Sequence, residues 1–441
     1  MLKIRSLSTF QRMDTGKAFC EFVDSCPTPF QFGSYVRDKL TKSGFTELSE
    51  SKCWNIQTLP KKGFVLRDNR SLIAFHFPDS FNISNTNSSN IIPILVIGTH
   101  CDSPCFKIKP NFSADSKDFR RLLVCQYGGG QWFTWFDREL RCAGRVFIKN
   151  GENIEPRYFD SREPIAIIPS DPSFDPLSPN TDLELNYNLL TGSIDTPTLQ
   201  SYIASKLGVS ESDIVDYDIS FLDSQPASLL GLHNEFVATQ RIDNLGSTFS
   251  ALTAFLNSTP TNSLNVFSCF DHEEIGSNTR LGADSNYLLD TLEKIFGKER
   301  IAKIVPHSLC VSADNAHAIH PLYPEKHEKM HAPVMGNGLV IKKSARNSYA
   351  TELESTYPLK DAAKTVGSDL QILANRNDIP GGSTIGPIIA SNVGFLTVDV
   401  GQPQLAMHSI RETVAVKDIE ESIKIFQELY NNYDQHRLTI Q

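Results

Sequence analysis

The sequence predicts an α/β fold in which a mixed central sheet is flanked by helices and the chain carries an inserted, mainly β domain. Uninterrupted apolar runs such as 91–100 are typical of strands buried on both faces of a sheet. In other stretches apolar residues recur every three or four positions, which indicates helices packed on one face. Between 105 and 234, strand-sized segments alternate with Gly, Pro and Asp turns.

The length and composition are compatible with more than one domain. The chain has 441 residues, of which 40% are hydrophobic, so it can bury a substantial core. We predict a main domain in two parts, 15–104 and 235–441, with the inserted β domain at 105–234.

Charge and cysteine usage narrow the possible partners and location. The net charge is -9 and no basic face is evident, so we expect no nucleic-acid partner. No apolar run approaches the roughly 18 residues of a membrane span, so we expect no membrane partner. The nine cysteines are scattered without repeated Cys-x-x-Cys pairs, which favours a reduced, cytoplasmic setting. We interpret Met1–Met13 as a short extension, with a weak organellar presequence as the alternative.

The first part of the chain predicts two helices and then strands. Apolar residues spaced for helices occupy 15–48, and strand-like segments follow at 63–66 and 71–75. The apolar run 91–100 predicts a central strand that ends at His100. A single histidine after a strand is often structural, so this position alone decides nothing. In the inserted domain, 122–127 and 144–148 are expected strands, and the triple glycine 128–130 lacks the spacing of a phosphate loop.

Polar residues follow the predicted strands of the second part as well. The apolar segment 264–270 leads into Asp271-His272-Glu273-Glu274, for which a solvated acidic turn is the simple alternative. Asp243 opens a helical pattern, and helix capping alone would explain it. The run 308–313 ends at Asp314, and the strand predicted at 394–401 is followed by His408. We also expect helices near 362–374 and from Val416 onward.

These positions become informative when they are taken together. The carboxyl ends of parallel strands lie along one edge of a sheet, where ligands collect. Two histidines and three carboxylates, one of them bridging, would supply three protein ligands to each of two metal ions. Such mixed ligands suit Zn²⁺, with Mn²⁺ and Co²⁺ as alternatives. A further carboxylate could take a proton from a water molecule bound by both metals, which leaves a hydroxide, and return that proton to the leaving amine. The residues concerned are His100, Asp243, Glu273, Glu274, Asp314 and His408.

The motifs around these residues resemble the aspartyl aminopeptidase family of dizinc metalloaminopeptidases, to which yeast vacuolar aminopeptidase I is related. They run in order from about Thr15 to the C-terminal helix: Gly98–Pro104, Arg241–Leu245, Asp271–Ser277, Ser312–His317 and Gln404–Glu412. The resemblance implies a dizinc exopeptidase-like catalytic domain, with the insertion serving dimerisation. It also implies removal of N-terminal Asp or Glu from peptides, two Zn²⁺ per subunit and a tetrahedral homododecamer.

The resemblance assigns roles residue by residue. It makes Asp243 the bridge between the metals, pairs His100 with Asp314 on one metal and Glu274 with His408 on the other, and makes Glu273 the general base. A lysine in the pocket suits an acidic substrate side chain by charge pairing. The substrate-binding residues that it implies are Glu273, Asp314, His317, Lys342 and Tyr349.

One departure from the family's pattern bears on activity. Family members typically carry a histidine in the inserted domain that reaches a neighbouring active site, yet no histidine occurs between His100 and His233. The corresponding stretch, 164–171, is followed by a shorter loop. Loss of one oxyanion donor typically costs about 10²–10³ in rate. A catalytically weakened, self-assembling protein resembling an autophagy cargo is therefore the alternative, with delivery to a vacuole or lysosome. An amidohydrolase acting on non-peptide amides is a third hypothesis.

Overall fold

A nine-stranded mixed sheet forms the centre of the molecule. The computed structural model describes the backbone of residues 2–81, 91–170, 188–379 and 381–437, and their side chains from Asp14 onward. The loop predicted after Asp171 lies outside these ranges. In spatial order, the strands of the central sheet are β1 (Thr46–Glu47), β2 (Lys62–Arg67), β3 (Ser71–His76), β13 (Leu264–Phe270), β4 (Ile94–His100), β14 (Leu309–Ala313), β18 (Leu396–Gly401), β16 (Leu339–Lys343) and β17 (Leu370–Ala374).

Strand β4 is the middle strand, and all seven of its residues are buried, as its apolar run predicts. It runs parallel to β13 on one side and to β14 on the other, whereas β3 is antiparallel to β13. Successive side chains alternate between the two faces of the sheet. Leu95 and Ile97 therefore join one apolar cluster, while Ile94 and Val96 join another. The predicted α/β fold with a mixed, helix-flanked sheet is confirmed.

Helices cover both faces of this sheet. They are α1 (Leu2–Ser25), α2 (Pro29–Lys42), α4 (Ile242–Leu256), α5 (Tyr287–Phe296), α6 (Lys298–Ile304), α7 (Leu353–Thr365), α8 (Ile385–Val393) and α9 (Val416–His436). One apolar cluster packs residues of α1, α2, α4, α7 and α9 against the sheet, and the other packs residues of α5, α6 and α8. Among the described residues, no helix combines the length and apolar character needed to cross a membrane.

The helix expected near 362–374 was placed wrongly. Helix α7 ends at Thr365, and Gly367 adopts a left-handed conformation with φ of 67°. Glycine enters this conformation without the steric cost that other residues bear, so it commonly ends a helix. The following apolar residues form β17, which pairs in parallel with β16.

A six-stranded sheet occupies the inserted region and has its own apolar core around Phe106, Trp135 and Phe221. Its strands, in spatial order, are β8 (Asn153–Asp160), β7 (Leu140–Asn150), β10 (Ile214–Asp223), β5 (Cys105–Ser113), β6 (Phe119–Tyr127) and β9 (Asn188–Ser193), accompanied by helix α3 (Leu199–Leu207). A third sheet contains β11 (Ser228–Leu230), β12 (Phe236–Thr239), β20 (Glu412–Ala415), β19 (Pro403–Leu405) and β15 (Ala316–His317). The domain boundaries at 105 and 234 stay predictions.

Candidate active site

The polar residues at the strand ends meet because β4, β13 and β14 run parallel in adjacent positions. Phe270, the last residue of β13, lies opposite His100, the last residue of β4. The segment with Glu273 and Glu274 therefore leaves the sheet beside His100. On the other side of β4, β14 brings Asp314 to the same edge. The sheet thus gathers residues that are far apart in the sequence.

Asp243 joins this group from the start of α4, and the helix-capping interpretation is wrong. The cap position is Arg241, whose side chain makes no capping hydrogen bond. Asp243 itself has non-helical backbone angles, φ -80° and ψ 106°. Its carboxylate points towards two histidines: Oδ1 lies 3.3 Å from His100 Nε2 and Oδ2 lies 3.1 Å from His408 Nε2.

Both histidines present Nε2 to the cluster because Nδ1 is engaged elsewhere. His100 Nδ1 lies 3.1 Å from the carbonyl oxygen of Asp102, and His408 Nδ1 lies 3.0 Å from that of Gly129. A carbonyl can only accept, so each Nδ1 carries a proton and donates it. This arrangement fixes the tautomer and is typical of histidines that bind metals.

The two neighbouring glutamates occupy different parts of the cluster. Glu273 Oε2 lies 3.8 Å from His100 Nε2, whereas Glu274 Oε1 lies 3.4 Å from His408 Nε2. Their backbone N–H groups donate to the two carboxylate oxygens of the buried Asp102, each at 3.1 Å. Asp102 therefore fixes the turn from which the glutamates diverge. The alternative of a solvated acidic turn is not what forms here, since Asp271 is also buried.

The donor set fits metal ions. Ligand atoms of His100, Glu273 and Asp314 all lie within 4.8 Å of one another, and the same holds for His100, Asp243 and Glu274. Asp243 Oδ1 and Glu274 Oε1 are buried and receive no hydrogen bond of acceptable geometry from the described residues. Such orphaned anionic oxygens are costly unless a cation pairs with them.

The electrostatics of the cluster favour added positive charge. Burial disfavours the imidazolium of His408, but the Asp243 hydrogen bond and the Glu274 charge outweigh burial and raise its pKa to about 10. Burial also raises the pKa of Glu273 to about 8, with Asp314 adding to the effect and His100 opposing it. The protein's own groups thus leave excess negative charge, which divalent cations would neutralise.

The three other predicted substrate residues lie near this cluster. Lys342 is buried on β16, and its Nζ lies 3.6 Å from Asp314 Oδ2. It also lies over the ring of Tyr349, 5.5 Å from the ring centroid. Desolvation lowers the pKa of His317, with the Lys342 charge adding to the effect, although the His317 side chain keeps an exposed surface.

The end of β6 and the loop that follows it also contact the site, through hydrogen bonds that sequence reasoning missed. Besides Gly129, whose carbonyl holds His408, Gln131 donates from Nε2 to the Met407 carbonyl at 2.7 Å. Tyr127 donates its hydroxyl to Asp102 at 2.7 Å. The aromatic and glycine-rich stretch 127–131 was visible in the sequence, but the bonds made by a backbone carbonyl carry no side-chain signal.

The geometry agrees with the comparisons to known proteins. Residues 22–430 match the family of aminopeptidase I zinc metalloproteases (M18). The chain belongs to this family. An aspartyl aminopeptidase of Caenorhabditis elegans is 34% identical over 449 residues, which cover 93% of this chain and 94% of that protein.

Solved structures show the same fold over nearly the whole chain. The chain in a structure of the Ape4 and Nbr1 complex superposes with a TM-score of 0.90 at 31% identity, covering 98% of this chain and 89% of that one. The S. cerevisiae mApe1 dodecamer gives a TM-score of 0.83 at 25% identity, with 96% and 97% covered. The resemblance drawn from the motifs is confirmed, and this M18 protein is a metalloaminopeptidase.

Proposed function

We propose that this M18 aminopeptidase holds two divalent metal ions and removes N-terminal Asp or Glu from peptides. The observation that supports a two-metal site best is Asp243, whose two oxygens face two different histidines. A carboxylate placed in this way can bind one metal ion through each oxygen.

The proposed ligands divide into two sets around Asp243. His100 and Asp314 would hold one metal, and Glu274 and His408 the other. The zinc metalloprotease family favours Zn²⁺, and Mn²⁺ or Co²⁺ would fit the same nitrogen and oxygen donors. When bound, such ions polarise a carbonyl and make a water molecule more acidic.

Glu273 is the proposed general base. It would take a proton from the attacking water and deliver it to the departing amine. The divergence of Glu273 from Glu274 at the turn held by Asp102 supports separate roles for the two glutamates.

The acidic preference is supported by the buried cation of Lys342. Burial opposes its charged form, but Asp314 more than compensates and the pKa of Lys342 is raised. A charged ammonium in a desolvated pocket would pair with a substrate carboxylate. Tyr349 and His317 would contact the same N-terminal residue, as would Glu273 and Asp314.

The native assembly is proposed to be a homo-oligomer, and specifically a dodecamer, because a mApe1 relative is described as one. The nine cysteines are all free thiols, which supports a cytoplasmic setting. This chain has no histidine between His100 and His233, so another group would stabilise the negative charge that develops on the substrate oxygen.

A panel of aminoacyl chromogenic substrates tests the proposal. Purified protein would be assayed with Asp, Glu, Leu and Ala derivatives, each with and without Zn²⁺, Mn²⁺ or Co²⁺. We expect metal-dependent turnover that is fastest for Asp or Glu. Faster cleavage of Leu would reject the acidic preference, and absence of turnover with every metal would reject catalysis at this site. Light scattering would test for a particle of twelve chains.

A further inference from the structure

Glu412, on β20, is a buried carboxylate to which the proposed mechanism gives no task. It is 2% exposed and accepts four hydrogen bonds. Its Oε2 receives the backbone N–H groups of Ile242 at 2.5 Å and Asp243 at 3.1 Å. Its Oε1 receives the backbone N–H of His408 at 2.7 Å and the Nε2 of Gln404 at 3.1 Å. One side chain thus bonds to the backbones of two proposed metal ligands.

Both of these backbones are irregular and need such a partner. Asp243 has non-helical angles at the start of α4, and His408 lies in a turn with φ of 68°. Buried backbone N–H groups without an acceptor are costly. The two oxygens of Glu412 therefore join the segment that carries Asp243 to the segment that carries His408.

The contacts extend towards a third ligand. Gln404, which donates to Glu412, accepts a hydrogen bond from Asn315 Nδ2 at 2.6 Å. Asn315 follows Asp314 directly and also donates to the carbonyl of Ile242 at 3.1 Å. A buried network therefore links the backbones that carry Asp243, Asp314 and His408, with Glu412 holding two of them directly.

We propose that Glu412 is a positioning residue that sets the affinity of the two-metal site by holding Asp243 and His408 at a fixed separation. This inference rests on the proposed function, because it requires those residues to bind metal. It assigns to Glu412 neither a contact with substrate nor a proton transfer.

The test is Glu412→Gln, which keeps the shape of the side chain but replaces one accepting oxygen with an N–H₂ group. That group would face N–H donors, so one of the two segments must move. Partners that orient metal ligands typically change metal affinity by about 10–100-fold. We expect Zn²⁺ affinity, measured by competition with a chromogenic chelator, to fall within that range, and activity to recover as free Zn²⁺ is raised.

Asp418→Asn is the matched control. Asp418 is also a fully buried carboxylate that accepts two backbone N–H groups, from Gly336 and Gly338, but neither donor belongs to a proposed ligand. Both variants are expected to lower the unfolding temperature. Only Glu412→Gln should weaken Zn²⁺ binding, which a merely structural role would leave unchanged.

The outcomes separate this inference from the proposed function. If wild type binds two Zn²⁺ per chain and Glu412→Gln binds them equally tightly, the role of Glu412 is rejected while the two-metal site stands. If wild type binds no Zn²⁺, the two-metal proposal itself fails. If Glu412→Gln does not fold, Gln404→Met decides, because it removes one donor and leaves the Glu412 charge. We expect about tenfold weaker binding there, and wild-type affinity would overturn the inference.

Discussion

Asp243 lies between His100 and His408, with one carboxylate oxygen 3.3 Å from the first and the other 3.1 Å from the second. No other described contact joins these two histidines through one side chain. The proposed site therefore depends on both carboxylate oxygens of Asp243. A substitution that removes one of these oxygens tests their role in metal binding.

Asp243→Asn should remove metal and activity together. The amide supplies one accepting oxygen, so it cannot bind two cations as the carboxylate would. We expect bound zinc to fall from two per chain to one or fewer, and kcat/KM to fall by at least about 100-fold. Elemental analysis and steady-state kinetics measure the two effects. The exposed Asp38→Asn should behave as wild type, and unchanged zinc content in Asp243→Asn would contradict the bridging role.

Glu273→Gln and Glu274→Gln should give opposite results in a metal assay. Glu273→Gln removes the proposed base, so turnover is expected to be lost while zinc content stays at the wild-type value. Glu274→Gln removes a proposed ligand, so zinc should be lost as well. The side chains are isosteric and adjacent in sequence, and each variant is thus the control for the other. Loss of zinc in Glu273→Gln alone would mean that the two roles are exchanged.

Lys342→Met should reduce the preference for acidic substrates. A hydrogen bond to a charged group contributes about 1.5–3 kcal/mol, which corresponds to about 10–150-fold in kcat/KM. We expect that loss for an N-terminal Asp substrate and little change for a Leu substrate. Lys343→Met provides the control, because neighbouring residues of a strand point to opposite faces. An equal loss for both substrates would show that Lys342 does not select the side chain.

Tyr127→Phe tests whether the six-stranded sheet supports the site. The variant deletes the hydroxyl that donates to Asp102, whose oxygens hold the turn of Glu273 and Glu274. We expect kcat/KM to fall about tenfold, as is typical when a partner of a ligand-orienting group is lost. Tyr217→Phe, on β10 of the same sheet, should retain full activity. Wild-type kinetics in Tyr127→Phe would make the contact dispensable.

Because His76 is buried, we expect the free energy of unfolding to decrease in acid. Burial, with the Lys62 charge adding to it, lowers its pKa to about 4, against about 6.5 in an unfolded chain. Between these two pH values the unfolded state binds a proton that the native state excludes. The neutral His76 side chain therefore makes its full contribution to the free energy of unfolding above pH 6.5, and this contribution decreases as the pH falls. At pH 5 the free energy of unfolding is expected to be about 2 kcal/mol lower than at neutral pH because of this group.

His76→Phe should remove that part of the pH dependence. The ring of His76 packs edge-on against Phe45, so a phenyl ring keeps the contact. We would compare urea unfolding midpoints at pH 7.5 and pH 5 for wild type, His76→Phe and the exposed His233→Phe. An equal acid shift in all three proteins would exclude His76 as a cause.

The fold class and the gathering of the site could be predicted because both follow from strand patterns. The strands that end at His100 and at Phe270 are buried throughout, and parallel neighbours place their ends together. Local signals failed where tertiary contacts decide. Asp243 has the sequence position of a helix cap, but Glu412 takes the N–H groups at that helix start, which leaves the Asp243 side chain to the histidines.

Two further features could not be read from residue types. The apolar segment after Ala362 suits a helix or a strand, and Gly367 ends the helix in favour of a parallel partner for β16. The acceptor that holds His408 is a glycine carbonyl, and every residue has a carbonyl. Only the packing of the inserted sheet against the C-terminal segment selects Gly129 for that role.

The proposed ligands come from five distant segments of the chain, and this has a consequence for how the protein acquires its metal. Bringing such segments together in an unfolded chain requires several long loops to close, which adds an entropic cost that closely spaced ligands avoid. Unlike a zinc finger, whose closely spaced ligands allow metal to drive folding, this chain should fold before it binds zinc. We therefore expect zinc to leave the refolding rate unchanged and to slow unfolding, because the metal binds to the folded state and stabilises it.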